Sequence, residues 1–70
     1  MVTVYTKENC VQCKFVKKWL VQHRIKFIEK PVAERLSEFK AHGLLQAPIV
    51  YRDDTLITTG FVPNKLTELL

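Results

Sequence analysis

Cys10-Val11-Gln12-Cys13 holds the only two cysteines of this 70-residue chain, between a short apolar run (Val2 to Tyr5) and a helix-patterned stretch (Phe15 to His23). Two thiols two residues apart at a strand-to-helix junction make a dithiol that can be activated as a redox couple. The reactive species is the thiolate. A cysteine with the ordinary pKa of about 8.5 is only roughly 3% ionised at pH 7, whereas one at about 7 is half ionised. Cys10 is placed for that change, because unpaired amide N–H groups and the positive end of a helix dipole favour an anion there. Lys7 adds to the effect and Glu8 opposes it. Cys13, a turn into the helix and on its apolar side, is expected to be the less exposed of the two. Cys10 is therefore assigned as the attacking nucleophile, and Cys13 as the resolving thiol that breaks the mixed disulfide and leaves Cys10–Cys13 oxidised.

Half a zinc site has the same spacing, and zinc needs four ligands. Only His23 and His42 remain to supply them, and each stands at the end of a different helix, outside finger or ribbon spacing. No metal is expected. Phe15 and Trp19 are read as core, since their helical spacing needs no cofactor to explain it.

The elements that must position the thiols follow from period and punctuation. Val2, Val4 and Tyr5 mark a first strand, ended by Lys7-Glu8-Asn9. Cys13, Val16, Leu20 and His23 then recur at i, i+3, i+7 and i+10, while Lys14, Lys17 and Lys18 project to water. Ile25 to Glu29 reads as a second strand closed by Pro31. Val32, Leu36 and Phe39 share one face of a second helix, with Gly43 as its left-handed stop. Pro48 to Tyr51 and Thr55 to Thr59 flank the turn residues Arg52-Asp53-Asp54 and form an antiparallel hairpin. Gly60 allows a tight bend, Pro63 opens a last helix, and Leu66, Leu69 and Leu70 give it an apolar face. The order is βαβαββα. Its first two strands must be parallel, because a helix-length crossover joins them. The fold class is α/β, a mixed four-stranded sheet with three helices on its two faces, in one domain spanning residues 1–70. Cys10 falls just beyond the carboxyl end of a strand, where ligands bind in open α/β sheets.

A chain this short buries only about 60% of its unfolded surface, so the core is thin. A hydrophobic content of 47% fits a packed globule, and no uncharged run approaches the ~18 residues of a membrane span. The opening Met1-Val-Thr-Val-Tyr lacks a secretory pattern, so the expected compartment is the cytoplasm, where paired cysteines are metal or redox sites rather than staples. The net charge of +4 is explained by solvated helix faces or by steering toward an acidic protein partner. Nucleic acid is not an expected partner, because aromatics do not interleave with the lysines along an exposed strand. A monomer is expected.

With these features placed, the chain resembles the NrdH-type redoxins, glutaredoxin-like proteins of the thioredoxin-fold superfamily. The resemblance runs from Val2 to Leu70 and rests on three stretches: Tyr5-Thr6-Lys7-x-x-Cys10-Val11-Gln12-Cys13, Gln46-Ala47-Pro48-Ile49-Val50, and Gly60-Phe61-x-Pro63. It implies that a cis peptide bond precedes Pro48 beside the cysteines, so that the Ala47 backbone can pair with an incoming disulfide-bearing segment. By the same likeness Val11, Gln12, Gly60 and Phe61 belong to the client-binding surface. The implied reaction is dithiol reduction of a disulfide in class Ib ribonucleotide reductase, with the redoxin re-reduced by thioredoxin reductase and NADPH. No cofactor is expected on this chain, which has no Gly-x-Gly-x-x-Gly turn to hold the nicotinamide or flavin of that reductase.

Two other functions compete with this one. A glutathione-dependent glutaredoxin shares the fold, but glutaredoxins present Gly-Gly-x-Asp-Asp where this chain reads Thr59-Gly60-Phe61-Val62-Pro63-Asn64, without the acidic end that receives the glutathione amine. A non-catalytic basic module would instead bind in a salt-sensitive way that survives loss of both thiols. Within the resemblance, Thr58-Thr59 stands where Trp-Ser is common, Val62 where Arg or Gln is common, and the acidic residue common after the second strand is absent from Glu29-Lys30-Pro31-Val32.

Overall fold

The alternating run at the start of the chain forms β1 (Val2–Thr6), around which the sheet is organised. It pairs in parallel with β2 (Phe27–Pro31) and antiparallel with β3 (Ile49–Arg52), which carries β4 (Thr55–Thr59) antiparallel on its far side. The strand order is β2-β1-β3-β4. Three helices complete the βαβαββα chain in this computed structural model, which describes residues 1–44 and 46–70: α1 (Val11–Gln22), α2 (Leu36–Ala41) and α3 (Pro63–Leu66). A 3-10 turn at Val32–Arg35 leads into α2, and another at Thr67–Leu69 follows α3.

Because strand side chains alternate, the sheet builds two apolar layers. Val2, Val4, Val50 and Ile57 face α1 and α3 and pack with Val16, Leu20 and Leu66. Tyr5 and Ile49 face the other way and pack with Phe39 of α2. In β4 two consecutive residues, Ile57 and Thr58, are buried, because the pairing passes from Val50↔Thr58 to Tyr51↔Leu56 and leaves Ile57 as a bulge.

Helix α1 ends in a double hydrogen bond: Arg24 N–H donates to the Val21 carbonyl (3.0 Å) and Ile25 N–H to that of Leu20 (2.9 Å), with Arg24 at φ 57°. This Schellman closure returns Ile25 to the core beside Leu20. The second strand therefore starts two residues later than the apolar pattern suggests, at Phe27, and Pro31 lies inside it rather than beyond it. A proline is tolerated there because β2 is an edge strand, bonded only toward β1.

Four side chains expected in apolar faces are exposed instead. Leu36 is displaced because the tighter 3-10 turn before it rotates the register, leaving Phe39 fully buried and Val32 half-buried. Leu70 lies past the last turn, His23 caps α1 in solvent, and Phe15 sits at the rim of the stripe rather than within it.

Two polar clusters tie the layers together. Thr6 Oγ1 (2.9 Å) and Lys17 Nζ (3.1 Å) both donate to Glu29, joining β1, α1 and β2. The Thr6 bond first, and the Lys17 ammonium second, hold the Glu29 carboxyl below its ordinary value. On the opposite layer the Arg35 guanidinium lies 5.2–5.4 Å from the ring centres of Tyr51, Phe39 and Tyr5. It donates to Tyr5 Oη (3.0 Å) and, through two nitrogens, to Glu38 (2.7 and 2.6 Å).

Candidate active site

The sheet register brings three separate loops to one end. The carboxyl end of β1 lies opposite the start of β3 (Tyr5↔Ile49), and that in turn opposite the end of β4 (Ile49↔Thr59). The segments just beyond these ends are Lys7 to Cys13, Ala47-Pro48 and Gly60-Phe61, the three stretches singled out from sequence. Asn9 at φ 56° turns the chain from β1 into α1, a left-handed conformation that asparagine tolerates better than most residues.

Cys10 is the N-cap of α1, extended at φ −106° and ψ 105°. Its Sγ accepts a hydrogen bond from the Cys13 N–H at 3.1 Å, taking one of the donors that the first turn leaves unpaired. No acidic residue occupies that first turn. The two sulfurs are joined as a disulfide with Cα atoms 5.2 Å apart. Their environments differ: Cys13 is only 2% exposed, whereas Cys10 is half-buried at the surface. The arrangement is a two-electron couple in which one sulfur is within reach of solvent and the other is shielded by the core.

Beside Cys10 opens a cleft lined by Lys7, Val11, Gln12, Gln46 and Ala47. The Ala47–Pro48 peptide is cis, and both residues are buried. The Pro48 carbonyl accepts from Gly60 N–H at 2.7 Å, so the β4–α3 turn is laced directly to this segment. Gly60 is left-handed at φ +77°, and Gln12 Oε1 accepts from Phe61 N–H at 2.9 Å. The Phe61 ring lies 5.6 Å from that of Phe15, which is half exposed.

Cys10, Cys13, Val11, Gln12, Ala47, Pro48, Gly60 and Phe61, the residues expected at the site, thus meet at one end of the sheet. Lys7 lines the cleft with an exposed side chain and forms no ion pair among the described residues. Sequence reasoning misses Phe15 and Gln46 as site neighbours. Helical spacing does not tell a rim position from a core one for Phe15, and Gln46 belongs to one of the three stretches without a role of its own. His23 lies at the far end of α1, about 20 Å along the helix from Cys10. Among the described residues no group of three or more His, Cys, Asp and Glu side chains is assembled as a metal cage, and no helix is long and apolar enough to cross a membrane.

A family model for glutaredoxin matches residues 2–57, and the chain belongs to the glutaredoxin family, among its NrdH-type glutaredoxin-like members. It is 43% identical over 72 aligned positions to the glutaredoxin-like protein NrdH of Lactococcus lactis subsp. cremoris, covering 99% of each chain. The solved structure of the NrdH-redoxin from Escherichia coli superposes with a TM-score of 0.88 at 29% identity, over 99% of this chain and 93% of that one. That of the thioredoxin-like protein BC3987 gives 0.82 at 28% identity over the whole of both chains. The fold is thioredoxin-like, and the Cys10–Cys13 disulfide is the redox-active pair of such a redoxin.

Proposed function

We propose that this chain is a dithiol reductant of protein disulfides, with residues 1–70 acting as one cytoplasmic, monomeric domain. The observation that carries the reading is the unequal placement of the two sulfurs: Cys10, the N-cap, is half-buried and accepts from the Cys13 N–H, and Cys13 is almost wholly covered. In the reduced protein the same N–H, the helix dipole and Lys7 favour a Cys10 thiolate. That thiolate attacks one sulfur of a client disulfide, forming a mixed disulfide and releasing the client's other sulfur as a thiolate. Cys13, deprotonated, then attacks Cys10 Sγ. The Cys10–Cys13 bond forms, the second client thiolate leaves, and two electrons have passed to the client, whose two thiolates take up the proton lost by Cys13 and one from water.

The client segment docks as an extended strand against the Ala47 backbone beside cis-Pro48, flanked by Val11, Gln12, Gly60 and Phe61. The physiological client is a disulfide of class Ib ribonucleotide reductase, and thioredoxin reductase with NADPH restores the dithiol. Two facts favour this electron source over glutathione: the turn Thr59–Asn64 has no carboxylate to receive a glutathione amine, which would be desolvated without a partner, and a thioredoxin-like activity profile is ascribed to the Escherichia coli relative.

Insulin reduction by single-cysteine variants tests the assignment. Cys10→Ser loses all activity, and Cys13→Ser accumulates a mixed disulfide through Cys10, visible by mass. A Cys10→Ser protein that reduces insulin at the parent rate overturns it.

A further inference from the structure

Gln12 lies between the two cysteines, yet its side chain is committed to another part of the chain. Its Oε1 accepts from Phe61 N–H at 2.9 Å across 49 residues of sequence, and only the carbonyl end of the amide can face that donor. The approach depends on Gly60. A Cβ built there would lie 3.0 Å from Gln12 Oε1, closer than nine in ten real contacts of that kind. The Gly60 N–H is used by the Pro48 carbonyl, so the turn is held from two sides: at Gly60 by the cis-Pro48 segment just before β3, and at Phe61 by the dithiol loop. Held this way, the Phe61 ring rests against Phe15 on α1 at 5.6 Å.

We infer that Gln12 is a positioning residue for client reduction, its side-chain carbonyl clamping the Gly60–Phe61 turn to the Cys10–Cys13 loop so that Phe61 and Ala47 flank the reacting sulfurs in a fixed geometry. The inference rests on the dithiol reading above. An alanine at position 12 leaves Phe61 N–H without its acceptor and frees the turn. A glutamate has the same reach and an acceptor in the same place, but its carboxylate disfavours the neighbouring Cys10 thiolate. An exposed neutral hydrogen bond of ordinary net worth corresponds to roughly a fivefold change in an equilibrium.

The test compares the parent, Gln12→Ala and Gln12→Glu in two measurements: amide hydrogen exchange at Phe61 by NMR, and the KM and kcat for insulin with dithiothreitol as the terminal reductant. Gln12→Ala is expected to speed Phe61 exchange and raise KM about fivefold each, with kcat changed by less than about twofold. Gln12→Glu is expected to restore both and to move the acid limb of the pH–rate profile upward. Parent-like exchange and KM in Gln12→Ala overturn the clamp. So does a raised KM with unchanged Phe61 exchange, which means that the amide touches the client itself, and so does a raised KM that glutamate fails to rescue. A parent protein inactive on insulin overturns the dithiol reading, and the exchange data then decide the clamp on their own.

Discussion

Arg24 and Gly43 occupy the same position in two copies of one helix-ending motif. Each is left-handed, at φ 57° and φ 70°, and each donates its N–H to a carbonyl three residues back, Val21 for Arg24 and Lys40 for Gly43. The next residue in each case, Ile25 or Leu44, donates to the carbonyl five residues back, Leu20 or Phe39, and returns an apolar side chain to the core. Glycine adopts this conformation freely, whereas a residue with a Cβ is strained by about 1–2 kcal/mol.

The pair gives matched predictions of opposite sign. Arg24→Gly is expected to stabilise the protein by about 1 kcal/mol, and Gly43→Ala to destabilise it by about as much, since a Cβ at Gly43 meets nothing within 4 Å and only the backbone term remains. Urea denaturation midpoints check both. An Arg24→Gly protein less stable than the parent contradicts the motif as described.

Gly60→Ala separates backbone strain from a contact. The residue is left-handed like Gly43, but its Cβ would press on Gln12 Oε1. The variant is expected to lose about 1–2 kcal/mol of stability and also to raise the KM for insulin, whereas Gly43→Ala affects stability alone. The comparison requires both variants to be assayed well below their melting temperatures.

The cluster under α2 predicts a packing cost. Arg35 covers three aromatic rings and pairs through two nitrogens with Glu38, with its side chain about one-third exposed. Arg35→Ala is expected to cost about 1–2 kcal/mol in denaturant unfolding. Arg35→Lys is expected to recover less than half of that, because an ammonium cannot both lie flat on the rings and make the forked contact. Full recovery by lysine would reduce the role of Arg35 to that of a point charge.

Acid sensitivity follows from two carboxylates. The Thr6 and Lys17 bonds depress Glu29, and the Arg35 fork depresses Glu38, below the ordinary glutamate value of 4.5. A group whose folded-state pKa is lowered contributes stability that is complete above its unfolded value and is lost as pH falls through the folded one. Stability is therefore expected to hold from neutral pH to about 4.5 and to decline below it, with a smaller decline in Glu29→Gln. Denaturation midpoints between pH 7 and pH 3 test the sign, and a protein that gains stability on acidification contradicts it.

Much of the fold is legible in the sequence because its signals are local. The period-2 run at Val2 to Tyr5, the helical spacing from Cys13 to Leu20 and the Asp53-Asp54 turn each mark an element within a residue or two. Pattern fails where tertiary contact overrides it. Ile25 looks like a strand residue because it is β-branched and apolar, yet it closes a helix. Leu36 has the right spacing for a regular helix, but a 3-10 turn precedes it. At the site the cysteines announce themselves by spacing, and Pro48 and Gly60 by a likeness to known proteins. The bond from Gln12 to Phe61 and the ring contact from Phe15 to Phe61 join residues more than forty positions apart, and nothing in either local stretch encodes them.

The role proposed for Cys10 and Cys13 is to carry electrons from a flavoprotein reductase to a protein disulfide. The decisive assay is NADPH oxidation by thioredoxin reductase, with the oxidised protein as the sole acceptor and insulin as the final client, run beside a parallel reaction containing glutathione and glutathione reductase. Sustained turnover is expected in the first reaction and background rates in the second. Turnover with glutathione alone, and none with thioredoxin reductase, would refute that role.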